Sequence, residues 1–395
     1  MLNGKTISLA RRAQGLDEYY FSRKLAEVRA LSAAGQPVIN LGIGNPDLPP
    51  PPQVVEALVQ GARHPANHGY QPYTGIAQLR QAIAAFMERT YGYRPNADNM
   101  VLPLMGSKEG IVHISLAFLN EGDEVLVPDP GYPAYAAAAK LAGAQARTYT
   151  VNSEGPPVPI HELQAMDTSR VKIMWINFPH MPTGRTADKE LLRALLDFAR
   201  QRNILLVNDC AYALVRNPQP LSIMALPQAA DTAMELHSLS KSHNMAGWRV
   251  GWVTGKAEFI QAVLKIKSNM DSGMFLPVQL AAAAALQADH TWYNQLNEVY
   301  HQRSAQVDVL LAKLGCTRPD SQSGLFVWAR LPEGTVDTEF IDKALYGARV
   351  FITPGSVFGS NGRGYVRVSL CAGNEVITEA LQRIEKWKSQ VPVCV

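Results

Sequence analysis

The chain has 395 residues, 47% hydrophobic and 18% charged, with a formal net charge of +3. That length and composition exclude a disordered segment, a collagen-like repeat and a small disulfide scaffold, and they fit two or three domains. So small a charge excess, with no run of Lys and Arg, argues against nucleic acid as the main partner. From the N-terminus, MLNGKTISLARRAQG has no apolar signal segment. No window approaches the roughly 18 uninterrupted apolar residues of a membrane span, so a soluble cytoplasmic protein is expected. Apolar residues at helical spacing predict a helix over 18–34, and the prolines at 49–52 read as a linker. Short apolar runs then predict strands at 100–104, 124–128, 172–178, 204–209, 234–239 and 249–254. Helical patterns lie between them at 76–91, 108–119, 134–142 and 189–202. That alternation predicts an α/β fold with a mostly parallel sheet between helices. After about residue 273 the pattern changes. Helices are predicted at 277–288 and 291–314, a strand at 324–331, a helix at 338–346, strands at 350–353 and 365–370, and a last helix at 375–389. This is the signature of a smaller α+β domain, completed by the N-terminal helix. The expected division is a large domain over 46–285 and a discontinuous small domain of 1–45 with 286–395.

Metal chemistry is not expected. The cysteines Cys210, Cys316, Cys371 and Cys394 form no CxxC pair, and the histidines show no HExxH spacing. In an open α/β sheet, ligands bind beyond the carboxyl ends of the strands. Three such ends carry chemistry. Met105, Gly106, Ser107 and Lys108 open a helix, where free N–H groups suit a phosphate. Taken alone, the turn is equally a structural glycine with an N-cap serine. Asp209 ends an apolar run and needs a cation or donors if buried, or it is simply a helix N-cap. Lys241 follows another apolar run between Ser238, Ser240 and Ser242, with Arg249 shortly after. A desolvated lysine there becomes a nucleophile and the arginine a phosphate ligand; the plainer reading is a solvated loop lysine and a salt-bridged arginine. Together, a phosphate cradle, a carboxylate, a lysine and an arginine are the set that pyridoxal phosphate requires.

On these residues the chain resembles the class I/II aminotransferases of the fold-type I pyridoxal-phosphate enzymes, from about residue 19 to 388. The fold implied is a large domain with a mostly parallel, seven-stranded sheet between helices plus the smaller α+β domain. In SLSKSHNMAGWRVGW, Lys241 resembles the Schiff-base lysine, and Ser238, Ser240 and Arg249 resemble phosphate ligands. Gly106, Ser107 and Lys108 match the phosphate cradle. Tyr132, in PDPGYPAY, matches the ring that stacks on the pyridine, Asp209 the partner of its nitrogen and Tyr212 a donor to its phenolic oxygen. Arg367, in YVRVSL, and Gly44, in LGIGNP, match contacts to a substrate α-carboxylate. Asn177, in NFPHMPTG, matches the first asparagine of that loop. Tyr70, in GYQPYTG, matches a tyrosine reaching the phosphate of a second subunit, which implies a homodimer. One position departs: Met181 stands where the family usually carries asparagine, and a thioether cannot donate. Tyr212 alone, a water or His180 would then serve the phenolic oxygen.

The resemblance implies transfer of an amino group from an L-α-amino acid to a 2-oxo acid by a ping-pong cycle, with Lys241 as general base and acid. Two alternatives share the fold: C–S β-elimination from sulfur amino acids, and a non-catalytic cofactor-binding regulator. The side-chain pocket is expected to draw on Tyr19, Tyr20, Phe21 and Ile43, which favours an apolar or aromatic substrate. Arg23 and Lys24 are the nearest cations in sequence and read as a solvated helix face.

Overall fold

The computed structural model describes residues 7–14, 20–319 and 322–390. Its twelve strands, in chain order, are β1 Ile39–Asn40, β2 Val101–Leu104, β3 Glu124–Asp129, β4 Gln145–Thr150, β5 Val171–Ile176, β6 Leu205–Asp209, β7 Ala233–Ser238, β8 Gly251–Gly255, β9 Phe326–Arg330, β10 Val350–Phe351, β11 Thr353–Pro354 and β12 Tyr365–Ser369. Seven of them form one sheet in the order β2-β8-β7-β6-β5-β3-β4. Within it β8 alone runs against the others. β3, β5, β6 and β7 are buried along nearly their whole lengths, so their sequences read as continuous apolar runs rather than alternations. Successive side chains still go to opposite faces. Ile173 and Trp175 join one core with Ile111 and Tyr135, while Met174 and Ile176 join another with Leu195 and Phe198.

A second sheet, β11-β12-β9, is antiparallel, and β1 pairs with β10 in parallel. Its core gathers Val28 from helix Tyr20–Ala33, Tyr300 and Leu310 from helix His290–Leu314, and Ile377 and Ile384 from helix Asn374–Gln390. Asp289 caps the long helix by accepting from Thr291 N at 3.0 Å, and Gly315 ends it at φ 78°.

Two expectations need correction, and one strand, β4, was not expected at all. The prolines at 49–52 are not all linker, because Pro52 opens helix Pro52–Arg63, where a first-turn proline loses no hydrogen bond. β4, QARTYT, is an edge strand with mostly exposed side chains, so it carries no apolar run to find. The strand expected at 350–353 is two short ones. The chain leaves β1 after Phe351 and joins β12 at Thr353. The helix expected over 18–34 is present as Tyr20–Ala33, and residues 15–19 lie outside the described residues.

Candidate active site

The sheet order brings the ends of β2, β6 and β7 and the start of β8 to one edge. Asp209 pairs with Leu236 and Ser238 with Gly251. After β2, Gly106 adopts φ 87° and Ser107 begins helix Ser107–Phe118. A side chain at Gly106 would overlap the Arg249 guanidinium, so the glycine is what lets that cation approach the helix N-terminus. After β7, Ser238 accepts from Ser240 N at 3.1 Å and shapes the helical turn Leu239–Ser242 that carries Lys241. Arg249 Nη1 donates to Ala246 O at 3.0 Å and to Ser240 Oγ at 3.4 Å.

Asp209 is 4% exposed. Its Oδ2 accepts from the Tyr135 hydroxyl at 3.0 Å, and its Oδ1 from Ala211 N at 3.3 Å. Burial pushes its carboxyl up to about 6, against the lowering effect of those donors and of His237. Asn177 donates its amide N–H to the Asp209 carbonyl and accepts from Met181 N at 2.8 Å.

The opposite wall comes from the small sheet and the 41–47 loop. Arg367 on β12 is buried, with Nη2 donating to Gly42 O at 2.8 Å and Nη1 directed at Met181 Sδ at 3.3 Å. Its guanidinium carbon lies 3.8 Å from the Phe326 ring centroid and 4.6 Å from that of Phe358. Lys241 Nζ donates to Gly44 O at 2.6 Å. Desolvation lowers the lysine below its usual range; Arg367 and Arg249 push the same way and Cys371 opposes. Burial drives the Tyr212 hydroxyl well up, with Arg367 opposing.

These groups line one cavity of about 530 Å³. Of the expected site residues, Gly44, Ser107, Lys108, Tyr132, Asn177, Asp209, Tyr212, Ser238, Ser240, Lys241, Arg249 and Arg367 all line it. Gly106 lies behind it against Arg249. Tyr70 does not reach it and is 92% exposed. His180 is not a lining residue either. Its Nδ1 is hydrogen-bonded to Thr183 Oγ1 at 2.8 Å, and burial pushes it down to about 3, so the alternative that gave it the phenolic oxygen is dropped. Ile43 lines the cavity as expected, together with Leu25. Tyr20 packs instead against the small-sheet core. Tyr19 and the Phe21 side chain lie outside the described residues. Arg23 is exposed, and Lys24 is ion-paired with Glu27 at 2.9 Å and Asp342 at 2.8 Å.

Sequence reasoning missed Leu25, Tyr135, Phe326 and Phe358. Leu25, Tyr135 and Phe326 sit in helix or strand patterns as ordinary apolar positions, and Phe358 falls in a turn between predicted strands. The only available signal was the second tyrosine of PDPGYPAY, one helical turn after Tyr132.

The arrangement fits pyridoxal phosphate on its own geometry. Among the described residues no Lys, Arg or His is ion-paired with Asp209, so a buried carboxylate is left facing a cavity that can admit a ring cation. Arg249 and the helix N-terminus converge on one end, which suits a dianion. The desolvated Lys241 lines the same cavity.

The family model "Aminotransferase class I and II" matches residues 36–384. An LL-diaminopimelate aminotransferase from Oleidesulfovibrio alaskensis is 39% identical over 384 residues, covering 95% of this chain and 98% of that protein. Substrate-bound BacF from Bacillus subtilis superposes with a TM-score of 0.91 at 34% identity, over 96% of this chain and 98% of that one. An aromatic aminotransferase from Pyrococcus horikoshii gives a TM-score of 0.85 at 28% identity, over 93% and 99%.

Proposed function

The chain belongs to the class I and II aminotransferases, and from that premise we propose how its residues divide the work of a pyridoxal-phosphate-dependent amino-group transfer. The observation that carries the reading is the convergence of Lys241, Asp209, Arg249 and Arg367 on one cavity. When bound, pyridoxal phosphate supplies an aldehyde carbon for the substrate nitrogen and a ring that withdraws electrons from the Cα–H bond. Gly106, Ser107, Lys108, Ser238, Ser240 and Arg249 would hold its phosphate. Tyr132 would cover the ring, Asp209 would hold the ring nitrogen protonated, and Tyr212 would serve the phenolic oxygen. Asn177 ties the Asp209 strand end to the Met181 loop. Arg367 and the Gly44 backbone orient the α-carboxylate, so that the Cα–H bond is presented to Lys241. Lys241 would take the Cα proton as general base and return it as general acid. Its lowered proton affinity supports that base role.

Leu25, Ile43, Phe326 and Phe358 line the cavity, while Lys24 is occupied by two carboxylates. These support an amino acid with an apolar or aromatic side chain. The relative's printed activity favours a second reading, LL-diaminopimelate. Initial rates with L-phenylalanine, L-leucine, LL-diaminopimelate and L-aspartate, each with one 2-oxo acid acceptor, separate the two. Preference for LL-diaminopimelate over every apolar donor overturns the first reading. Lys241→Ala is the control and should abolish turnover with any donor.

The proposal includes a homodimer. Tyr70, Tyr73, Met270 and Phe275 are large, exposed side chains. Two contacts draw their segments together: His68 meets the Phe275 ring at 5.6 Å, and Gly273 packs on Gln71 and Pro72. A second copy covering this face would bring Tyr70 to the partner's phosphate site; a monomer by sedimentation would contradict it. The division into 46–285 and 1–45 with 286–395, and residence in the cytoplasm, belong to the same proposal. Among the described residues no helix is long and apolar enough to cross a membrane.

A further inference from the structure

We propose that Tyr135 is a positioning residue of this site, fixing the Asp209 carboxylate for the ring nitrogen of the cofactor. The inference rests on the reading that Asp209 faces that nitrogen. Tyr135 is 1% exposed, and its ring stacks on Trp175 at 5.0 Å between centroids, with an interplanar angle of 7°. It meets the Tyr132 ring edge-on at 5.6 Å. Two aromatic neighbours therefore hold the phenol against its hydrogen-bond partner, Asp209 Oδ2, at 3.0 Å. Burial and the nearby Asp209 charge keep the phenol protonated far above neutrality, so it donates at every working pH. The Ala211 N–H occupies Oδ1 more loosely, at 3.3 Å.

Other titratable groups face Asp209 as well. His237 approaches from β7, with Glu235 bound to it at 3.1 Å, and Cys210 and Tyr212 follow on the same chain segment. Among the described side chains, Tyr135 supplies the hydrogen bond to the carboxylate oxygen. A donor to the ionised form favours that form. In the free chain burial holds the Asp209 carboxyl at about 6. A ring cation binds the ionised carboxylate, so cofactor affinity is full above that pH and declines below it. Removing the phenol withdraws a donor from the ionised form and moves the decline upward. A shift of about one pH unit corresponds to a tenfold change in the Asp209 ionisation constant.

The experiment measures equilibrium retention of pyridoxal phosphate from about pH 5 to about pH 8.5 for wild type, Tyr135→Phe and Tyr149→Phe. Each is repeated with the 1-deaza analogue, which has carbon in place of the ring nitrogen. Tyr149 is also a buried phenol and donates to Trp175 O at 2.9 Å, so its variant controls for loss of a buried hydroxyl. The expected result is an upward shift for Tyr135→Phe with pyridoxal phosphate, no shift with the analogue, and none for Tyr149→Phe. Trp175→Phe keeps the phenol but loosens the ring under it, and should shift the profile less in the same direction. It carries the test if Tyr135→Phe does not fold. A wild type that favours pyridoxal phosphate over the analogue, with Tyr135→Phe superimposable on it, overturns the role of Tyr135 alone. A wild type that does not distinguish the two overturns the Asp209 reading and this inference with it.

Discussion

Met181 lines the same cavity as Tyr212, with its sulfur 3.3 Å from Arg367 Nη1. A thioether is a weak acceptor and no donor, so it can engage the guanidinium but gives nothing to a phenolic anion. Met181→Asn would add an amide N–H at this wall. Because a donor stabilises the anionic oxygen, the pH midpoint of the bound cofactor's visible absorbance should move down in the variant. A midpoint that stays or rises contradicts this reading of position 181. That Met181 faces Arg367 could not have been read from NFPHMPTG, since Arg367 lies far along the chain on another sheet. Asp209 and Lys241 were legible because one ends and the other follows an apolar run that the sheet buries, and Arg249 because it stands just before the next such run, β8; a charge in those places needs a reason. Tyr135 was not legible, because a buried tyrosine in a helix pattern is ordinary until its hydroxyl partner is known.

At the scale of elements, the 41–47 loop joins the two walls of the cavity. Its Leu41 carbonyl accepts from Ser369 N at 2.7 Å, its Gly42 carbonyl takes Arg367 and its Gly44 carbonyl takes Lys241. A side chain at Gly44 would run into the Phe326 ring. The far end is clamped by Asp47, which accepts from Arg303 Nη1 and Nη2 at 2.7 Å each. Arg303 is 3% exposed and also donates to Leu370 O at 3.0 Å. Asp47→Asn removes the charge and one of the two acceptors from this pair; because Asp47 itself is exposed, the loss is on the order of 1–2 kcal/mol. The melting temperature should fall by several degrees and KM for the amino acid should rise more than kcat falls. Unchanged melting and KM would show that the loop is held without the clamp. The elements that sequence reasoning found are those with continuous buried runs or clean helical periods. It missed β4 because an edge strand has little to bury, and the break at Ile352 because a change of sheet is decided by partners remote in sequence.

For the molecule as a whole, buried histidines contribute to the loss of stability toward acid. Burial lowers His180 to about 3 and His243 to about 4, so both stay neutral in the fold. The unfolded chain protonates them near about 6.5 and so binds more protons below that pH. Stability therefore falls as the pH drops from about 6.5 toward 4. In the cofactor-free chain Asp209, raised to about 6, opposes part of this trend. The melting temperature of the apoprotein should decline across this window, less steeply in a His180→Gln, His243→Gln double variant; identical slopes would refute the assignment. The α/β class and most of the alternation of strands and helices were readable from pattern, although helices Pro52–Arg63, Ile160–Ala165 and Ala257–Lys267 were not among the expected elements. The meeting of the 41–47 loop, β6, β7 and β12 around one cavity was not, because it depends on long-range pairing.

The central claim is that this cavity performs amino-group transfer through Lys241. The most direct measurement is the absorption spectrum of the purified holoenzyme as a single L-amino acid is added without any 2-oxo acid. The account predicts that the visible band of the aldehyde form gives way to the near-ultraviolet band of the amine form, and that a 2-oxo acid restores it. A visible band that never converts, with pyruvate released from cysteine-type substrates instead, would contradict the account.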